Sequence, residues 1–159
     1  MSARIVCVGK MKEKHYISAF SEYDKRLKPY CKLETIELAE EKLPASPSEA
    51  EIMSALSRES AEIRRNIPSG SYIIAMCVEG EQLSSSELSS LLINCANMGK
   101  SRLCFIIGSS NGLDCALKKS ADFRLSMSKM TFPHHLARVM LAEQIYRGIM
   151  ISEGSKYHK

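Results

Sequence analysis

Three short runs of this chain, Ile5 to Val8, Tyr72 to Val78 and Leu103 to Ile107, are apolar at almost every position rather than at alternate ones. A strand with one face in water alternates polar and apolar residues, so continuous apolarity requires that both faces be covered. The intervening stretches carry the helical period instead. Tyr16, Phe20, Tyr23 and Leu27 share one face of a helix expected over about residues 12–27, which Pro29 ends. Lys32 to Leu38 alternates as a half-buried strand should, and a loop over residues 41–48, with Pro44 and Pro47, delivers a second helix over about residues 47–65, closed by Pro68 and Gly70. Glu79-Gly80 is expected to end the Tyr72 strand. Ser84 and Glu87 then form a capping-box pattern that opens a helix closed by Gly99. A sharp turn over Gly108 to Gly112 follows the Leu103 strand, then a short helix over about residues 113–120 and a long one from His134 to Met150. Strands of this kind alternating with helices predict a single α/β domain over residues 1–159, with a parallel sheet and helices on both faces.

Composition narrows the class further. The chain is 45% hydrophobic and 25% charged, ordinary for a globular protein. A net charge of +4 permits contact with a polyanion, although a dedicated nucleic-acid binder is usually more basic. The basic residues cluster at Lys10, Lys12 and Lys14 and at Lys25, Arg26 and Lys28. No run approaches the roughly 20 apolar residues of a membrane span or forms a signal-peptide core, so no membrane association and a cytoplasmic location are expected. Cysteines stand at 7, 31, 77, 95, 104 and 115 with no Cys-x-x-Cys or Cys/His ligand spacing. Buried free thiols, no metal and no redox dithiol are therefore expected.

The helix from His134 is apolar at 136, 139, 140, 141, 145, 146, 149 and 150, which covers most of its circumference. A helix buried on more than one side of so small a chain predicts a subunit interface and hence a homodimer. Arg138, Glu143, Gln144 and Arg147 interrupt that surface. Glu143 and Arg147 have the spacing and order of a helical ion pair, and either can instead serve a substrate. At about 100° per residue Arg138 lies on the opposite side of the helix from Arg147, so at least one arginine needs a carboxylate or an anionic ligand from elsewhere.

In a parallel sheet a ligand is expected outside the carboxyl ends of the strands, which brings forward the loops Glu79 to Leu83, Gly108 to Gly112 and Ser126 to Pro133. Gly108-Ser-Ser-Asn-Gly112 also fits the Gly-x-Ser-x-Gly elbow of a small serine hydrolase, with Ser110 as nucleophile and Asp122 and His134 following in order. Against that, no His-Gly-Gly-Gly-like segment is present, and Asn111-Gly112 accounts for the turn by backbone chemistry.

Several dispersed motifs together resemble a known family. They are Val8-Gly-Lys-Met-Lys12, Glu22-Tyr-Asp-Lys-Arg-Leu27, Phe105-Ile-Ile-Gly108 with Asn111-Gly-Leu113, Leu125-Ser-Met-Ser-Lys-Met-Thr-Phe-Pro-His134, Arg138 through Arg147, and Tyr157-His158. Over essentially its whole length the chain is similar to the small SPOUT-class methyltransferases that methylate N3 of a pseudouridine in large-subunit ribosomal RNA. The resemblance implies an S-adenosylmethionine-dependent enzyme acting on ribosomal RNA within the ribosome, a homodimer, and a SPOUT fold with a C-terminal trefoil knot. It implies that the methyl donor is held by Met76, Gly108 and the run Met127, Ser128, Lys129, Met130, Thr131 and Phe132. It also implies that Arg138, Glu143, Arg147, Tyr157 and His158 form the catalytic group. The family commonly has two glycines where this chain has Gly108-Ser109, and often Leu where it has Met76.

Removing a proton from an imide-type N3 needs a base near neutral pH, for which His158 has the appropriate ionisation range and Glu143 is the alternative. Tyr157 offers a ring for a splayed base, and Arg138 or Arg147 can balance developing charge or hold phosphate. His134 and His135 are expected chiefly to start the long helix. A noncatalytic ribosome-binding module is the remaining alternative to the enzyme and the hydrolase.

Overall fold

In the computed structural model, which describes residues 1–158 and of His158 only the backbone, five parallel strands form one sheet. The strands are β1 (Ser2–Val8), β2 (Lys32–Leu38), β3 (Tyr72–Gln82), β4 (Arg102–Ile107) and β5 (Phe123–Ser126), in spatial order β2-β1-β4-β3-β5. The helices are α1 (Lys14–Leu27), α2 (Glu49–Asn66), α3 (Ser85–Asn97), α4 (Cys115–Ser120) and α5 (His134–Ser152), with a 3-10 turn over Lys156–His158. Among the described residues no helix is long and apolar enough to cross a membrane.

The two-sided burial expected of the apolar runs is realised residue by residue. Ile5, Cys7, Ile74, Leu103, Phe105 and Ile107 point into one layer with Leu27 of α1, Leu88 and Leu92 of α3, and Leu141 and Ile145 of α5. Val6, Val8, Ala75, Cys104 and Ile106 point into the other, against Ile63 of α2 and Leu117 of α4. Successive side chains of one strand thus feed opposite layers, as the pleat requires.

Helix boundaries follow their caps. Ser48 and Ser84 each accept a hydrogen bond from the backbone three residues on, at Glu51 and Glu87, and both glutamates reach back to complete capping boxes. Pro47 therefore lies outside α2, which begins at Glu49. Gly99 closes α3 with φ of 72°.

β3 departs from expectation. It runs through Glu79-Gly80 to Gln82, with its register against β5 shifting between Met76 and Glu81. Gly80 is a point of close approach rather than a stop, because a β-carbon there would stand 2.8 Å from the carbonyl carbon and oxygen of Arg124.

The long helix also has a local explanation. Every residue of α5 from His134 to Ile151 is buried or half-buried in one protomer, because α1 and α3 flank it on the sheet face. Its apolar circumference thus does not by itself require a subunit interface. What one protomer leaves half-exposed is a narrower face carrying Leu136, Val139, Met140, Glu143 and Arg147.

Candidate active site

The carboxyl ends of β3, β4 and β5 open into a cavity of about 710 Å³. Three segments wall it: Met76 to Glu79 of β3, the Gly108 turn, and Met127 to Pro133, with His134 and Ala137 of α5 beside them. Met76, Gly108, Met127, Ser128, Met130, Thr131 and Phe132, all expected at a donor site, line it together. Lys129 is exposed and is not among the lining residues. Ile107, Leu113, Leu125 and Ala137 add apolar surface that sequence reasoning did not assign, since at that stage they carry no signal beyond the core pattern.

The turn is built from backbone. Gly112 donates its N–H to the carbonyl of Ser109 at 2.9 Å and has φ of 83°, a conformation that favours glycine. A β-carbon on Gly108 would fall on the Gly112 carbonyl, far inside contact distance. Gly108 is therefore demanded by the turn itself, before any ligand is considered. The loop after β5 is braced internally: the Ser126 hydroxyl donates to the Ser128 carbonyl at 2.9 Å, and the Ser128 hydroxyl accepts from the Met130 N–H at 3.1 Å. His134 is half-buried, and burial, with His135 and Arg138 nearby, holds its ionisation below the ordinary range, so at neutral pH the cavity sees an uncharged imidazole.

The hydrolase geometry is absent. Asp122 accepts from the Ile73 N–H at 2.7 Å, at the amino end of β3, whereas Ser110 follows the carboxyl end of β4. The two are a sheet's length apart, and the Ser110 hydroxyl donates to Glu40 at 3.1 Å instead of to a histidine. A triad needs its members within hydrogen-bond reach of one another.

Arg138 finds the carboxylate that its position demanded. Only 1% exposed, it donates to Glu37 at 2.8 Å and to the carbonyls of Val8 and Gly9 at 3.0 and 2.5 Å. It joins α5 to the ends of β1 and β2, so the structure shows its guanidinium engaged in structural contacts rather than facing the cavity.

The other expected catalytic residues gather further along α5. Glu143 accepts from Arg147 at 2.6 Å, from Gln144 at 2.7 Å and from the Tyr157 hydroxyl at 3.3 Å. The ring of Tyr157 lies under the Arg147 guanidinium, 4.8 Å from its centroid, and packs edge-on against Tyr146 at 4.9 Å. Burial raises the Tyr157 phenol, and its hydrogen bond to Glu143 raises the Arg147 guanidinium, so both stay protonated. The side chain of His158 lies outside the described residues. At about 1.5 Å of rise per residue, Glu143 to Arg147 stand roughly 9–15 Å beyond Ala137, so this cluster and the cavity do not meet along α5 of one protomer.

All six cysteines are free, four of them buried, and burial pushes the Cys7 thiol up to about 12 and that of Cys104 to about 11. Among the described residues no group of His, Cys, Asp or Glu has the arrangement of a metal site.

The α/β fold has counterparts among solved structures. A probable methylase family protein from Haemophilus influenzae aligns with 99% of this chain and 70% of its own at a TM-score of 0.56 and 14% identity. A tRNA (m1G37) methyltransferase from Aquifex aeolicus aligns with 92% of this chain and 70% of its own at 0.54 and 16% identity. These likenesses concern the fold.

The chain belongs to the SPOUT methyltransferase family, whose model, described as predicted SPOUT methyltransferase, matches residues 1–158. It is similar to the proteins named ribosomal RNA large subunit methyltransferase H of Clostridium botulinum and Clostridioides difficile, each 46% identical, and of Streptococcus pyogenes, 42% identical. In all three pairs the similarity covers 100% of both chains.

Proposed function

We propose that this protein methylates N3 of a pseudouridine in large-subunit ribosomal RNA, with S-adenosylmethionine as methyl donor, as a cytoplasmic homodimer whose C-terminal region is knotted. The observation that carries the reading is the convergence of one stretch of β3 and two loops on one cavity, lined by seven of the eight residues expected to hold the donor. The cavity fits such a group: it is largely apolar, its turn brings backbone close, and its volume of about 710 Å³ is that of a small-molecule site. When bound there, the donor supplies an electrophilic methyl group on a sulfonium.

The chain's own residues then have three tasks. The cavity loops exclude water and fix the direction from which the methyl is presented, since displacement requires near-attack geometry. Arg147 and Tyr157 present a cation and a phenol toward the incoming nucleotide, and Glu143 keeps both in place. Glu143 is engaged by Arg147 and Tyr157 at Oε1 and by Gln144 at Oε2. Of the two candidate bases an imidazole ionises nearer neutral pH, so the N3 proton is assigned to His158.

Because the cluster stands beyond the cavity on α5, a second copy meeting the half-exposed face of Leu136, Val139 and Met140 would bring one protomer's cluster to the other's cavity. Tritiated methyl transfer from S-adenosylmethionine to purified ribosomes tests the function. Label in the large-subunit RNA is expected. Binding to ribosomes without transfer would leave a noncatalytic module and overturn the proposal.

A further inference from the structure

The Gly108 turn is anchored by side chains that the catalytic reading does not use. Ser109, 6% exposed, donates its hydroxyl to Oε2 of Glu59 in α2 at 2.9 Å. Glu59 is also 6% exposed, and its Oε1 accepts the Glu41 N–H at 3.0 Å. Its neighbour Arg58 turns to Glu41, at 2.8 Å, so among the described residues no cation pairs with Glu59. Ser110 repeats the arrangement nearer the surface, donating to Glu40 at 3.1 Å. Burial drives the Glu59 carboxyl above the ordinary carboxylate range, and Glu40 and Glu41 add to the effect.

A buried carboxylate without a cation is costly, and a well-packed apolar residue would serve stability better. What Glu59 does accomplish is to join three segments, namely α2, the loop after β2 and the turn after β4. Ser109 opens the hydrogen-bonded part of that turn, its carbonyl accepting the Gly112 N–H, so holding Ser109 helps to hold the remainder. Glu59 itself does not line the cavity and reaches it only through Ser109.

We infer that Glu59 and Ser109 form a positioning pair that pre-orders the turn and thereby sets the affinity for the methyl donor. The inference rests on reading the cavity as the donor site. It also gives Ser109 a specific task in this chain: its hydroxyl anchors the turn to α2. A turn ordered in advance loses less entropy when a ligand binds.

Calorimetric titration of S-adenosylmethionine into the full-length protein, with thermal melts alongside, tests it on Ser109→Gly, Glu59→Ala, Glu59→Gln and the double variant Ser109→Gly/Glu59→Ala. A hydrogen bond to a charged group is expected to shift donor Kd about tenfold when lost, for Ser109→Gly and Glu59→Ala alike. The double variant should bind no more weakly than either single one, because one interaction is removed twice. Glu59→Gln keeps an acceptor for the Glu41 N–H and a polar partner for Ser109, and should restore binding to within about twofold. Wild-type affinity in Ser109→Gly, or losses that add in the double variant, would overturn the pair while leaving the donor site standing. A wild-type protein that does not bind the donor would overturn the cavity reading and the pair with it. Should Glu59→Ala fail to fold, Ser109→Gly and Glu59→Gln still decide the matter.

Discussion

Gly108 carries the tightest steric demand on the crevice. Sequence reasoning marks it as a place where backbone approaches a ligand, but its first constraint is the Gly112 carbonyl that a β-carbon would strike. Even Gly108→Ala should therefore displace the turn and weaken donor binding by at least about tenfold, read by calorimetry, with a melting temperature lowered by the strain. An alanine variant with unchanged donor affinity would mean that the turn can open without consequence. Arg138 shows the same limit from the other direction. Helical spacing established that it needed a partner away from Arg147, but the choice of Glu37 depends on a strand over a hundred residues earlier in the chain. Periodicity says which way a side chain points and not what tertiary structure places there.

At the scale of elements, α5 separates two kinds of burial. Ile145 is fully enclosed by its own protomer, at 0% exposure, whereas Val139 sits on the half-exposed face. Ile145→Lys should unfold the chain, since an unpaired cation in a core costs more than about 4 kcal/mol. Val139→Lys should leave the melting transition close to that of the dissociated wild type and shift the protein to monomer, with methyl transfer lost, as light scattering and the transfer assay would show. A wild type that is monomeric and active would remove the reason for the second effect. The helices and four of the five strands were legible because local chemistry marks them: serine caps, proline stops and apolar strand patterns; β5, only four residues long with Arg124 exposed, carries too short a pattern to be marked. The extension of β3 past Gly80 was not legible either, because a glycine that ends a strand and one that admits a neighbouring backbone look alike until β5 is in place.

For the whole molecule the question is how the Glu143, Arg147 and Tyr157 cluster reaches a cavity at the other end of its helix. Deleting residues 157–159 should leave dimerisation and donor affinity nearly intact, because Tyr157 does not line the cavity, yet lower turnover by at least about 100-fold through loss of the positioned base and ring. Full turnover in the truncated protein would return the base to Glu143. Two of the cavity walls, the Gly108 turn and the stretch after β5, could be anticipated because ligands gather at the carboxyl ends of parallel strands, whereas the third is Met76 to Glu79 of β3 rather than the expected loop from Glu79 to Leu83. Neither a knot nor a contribution across subunits could be read from residue patterns, since both depend on how the chain is threaded or paired, which leaves no period in the sequence.

The position of α5 at the centre of one helical layer also bears on biosynthesis. β1 pairs with β4 from Ser2 opposite Arg102, and the layer covering that face is completed only by Leu141 and Ile145. As the chain emerges from the ribosome, its first strand therefore has no inner partner until most of the protein has been made, and the sheet has no full cover until residues beyond 145 appear. Contacts between such distant segments form slowly and leave apolar surface open in the interval. A nascent chain halted before α5 would leave the strip of sheet between α1 and α3 uncovered, so chaperone demand during translation should concentrate in the period before that helix is released.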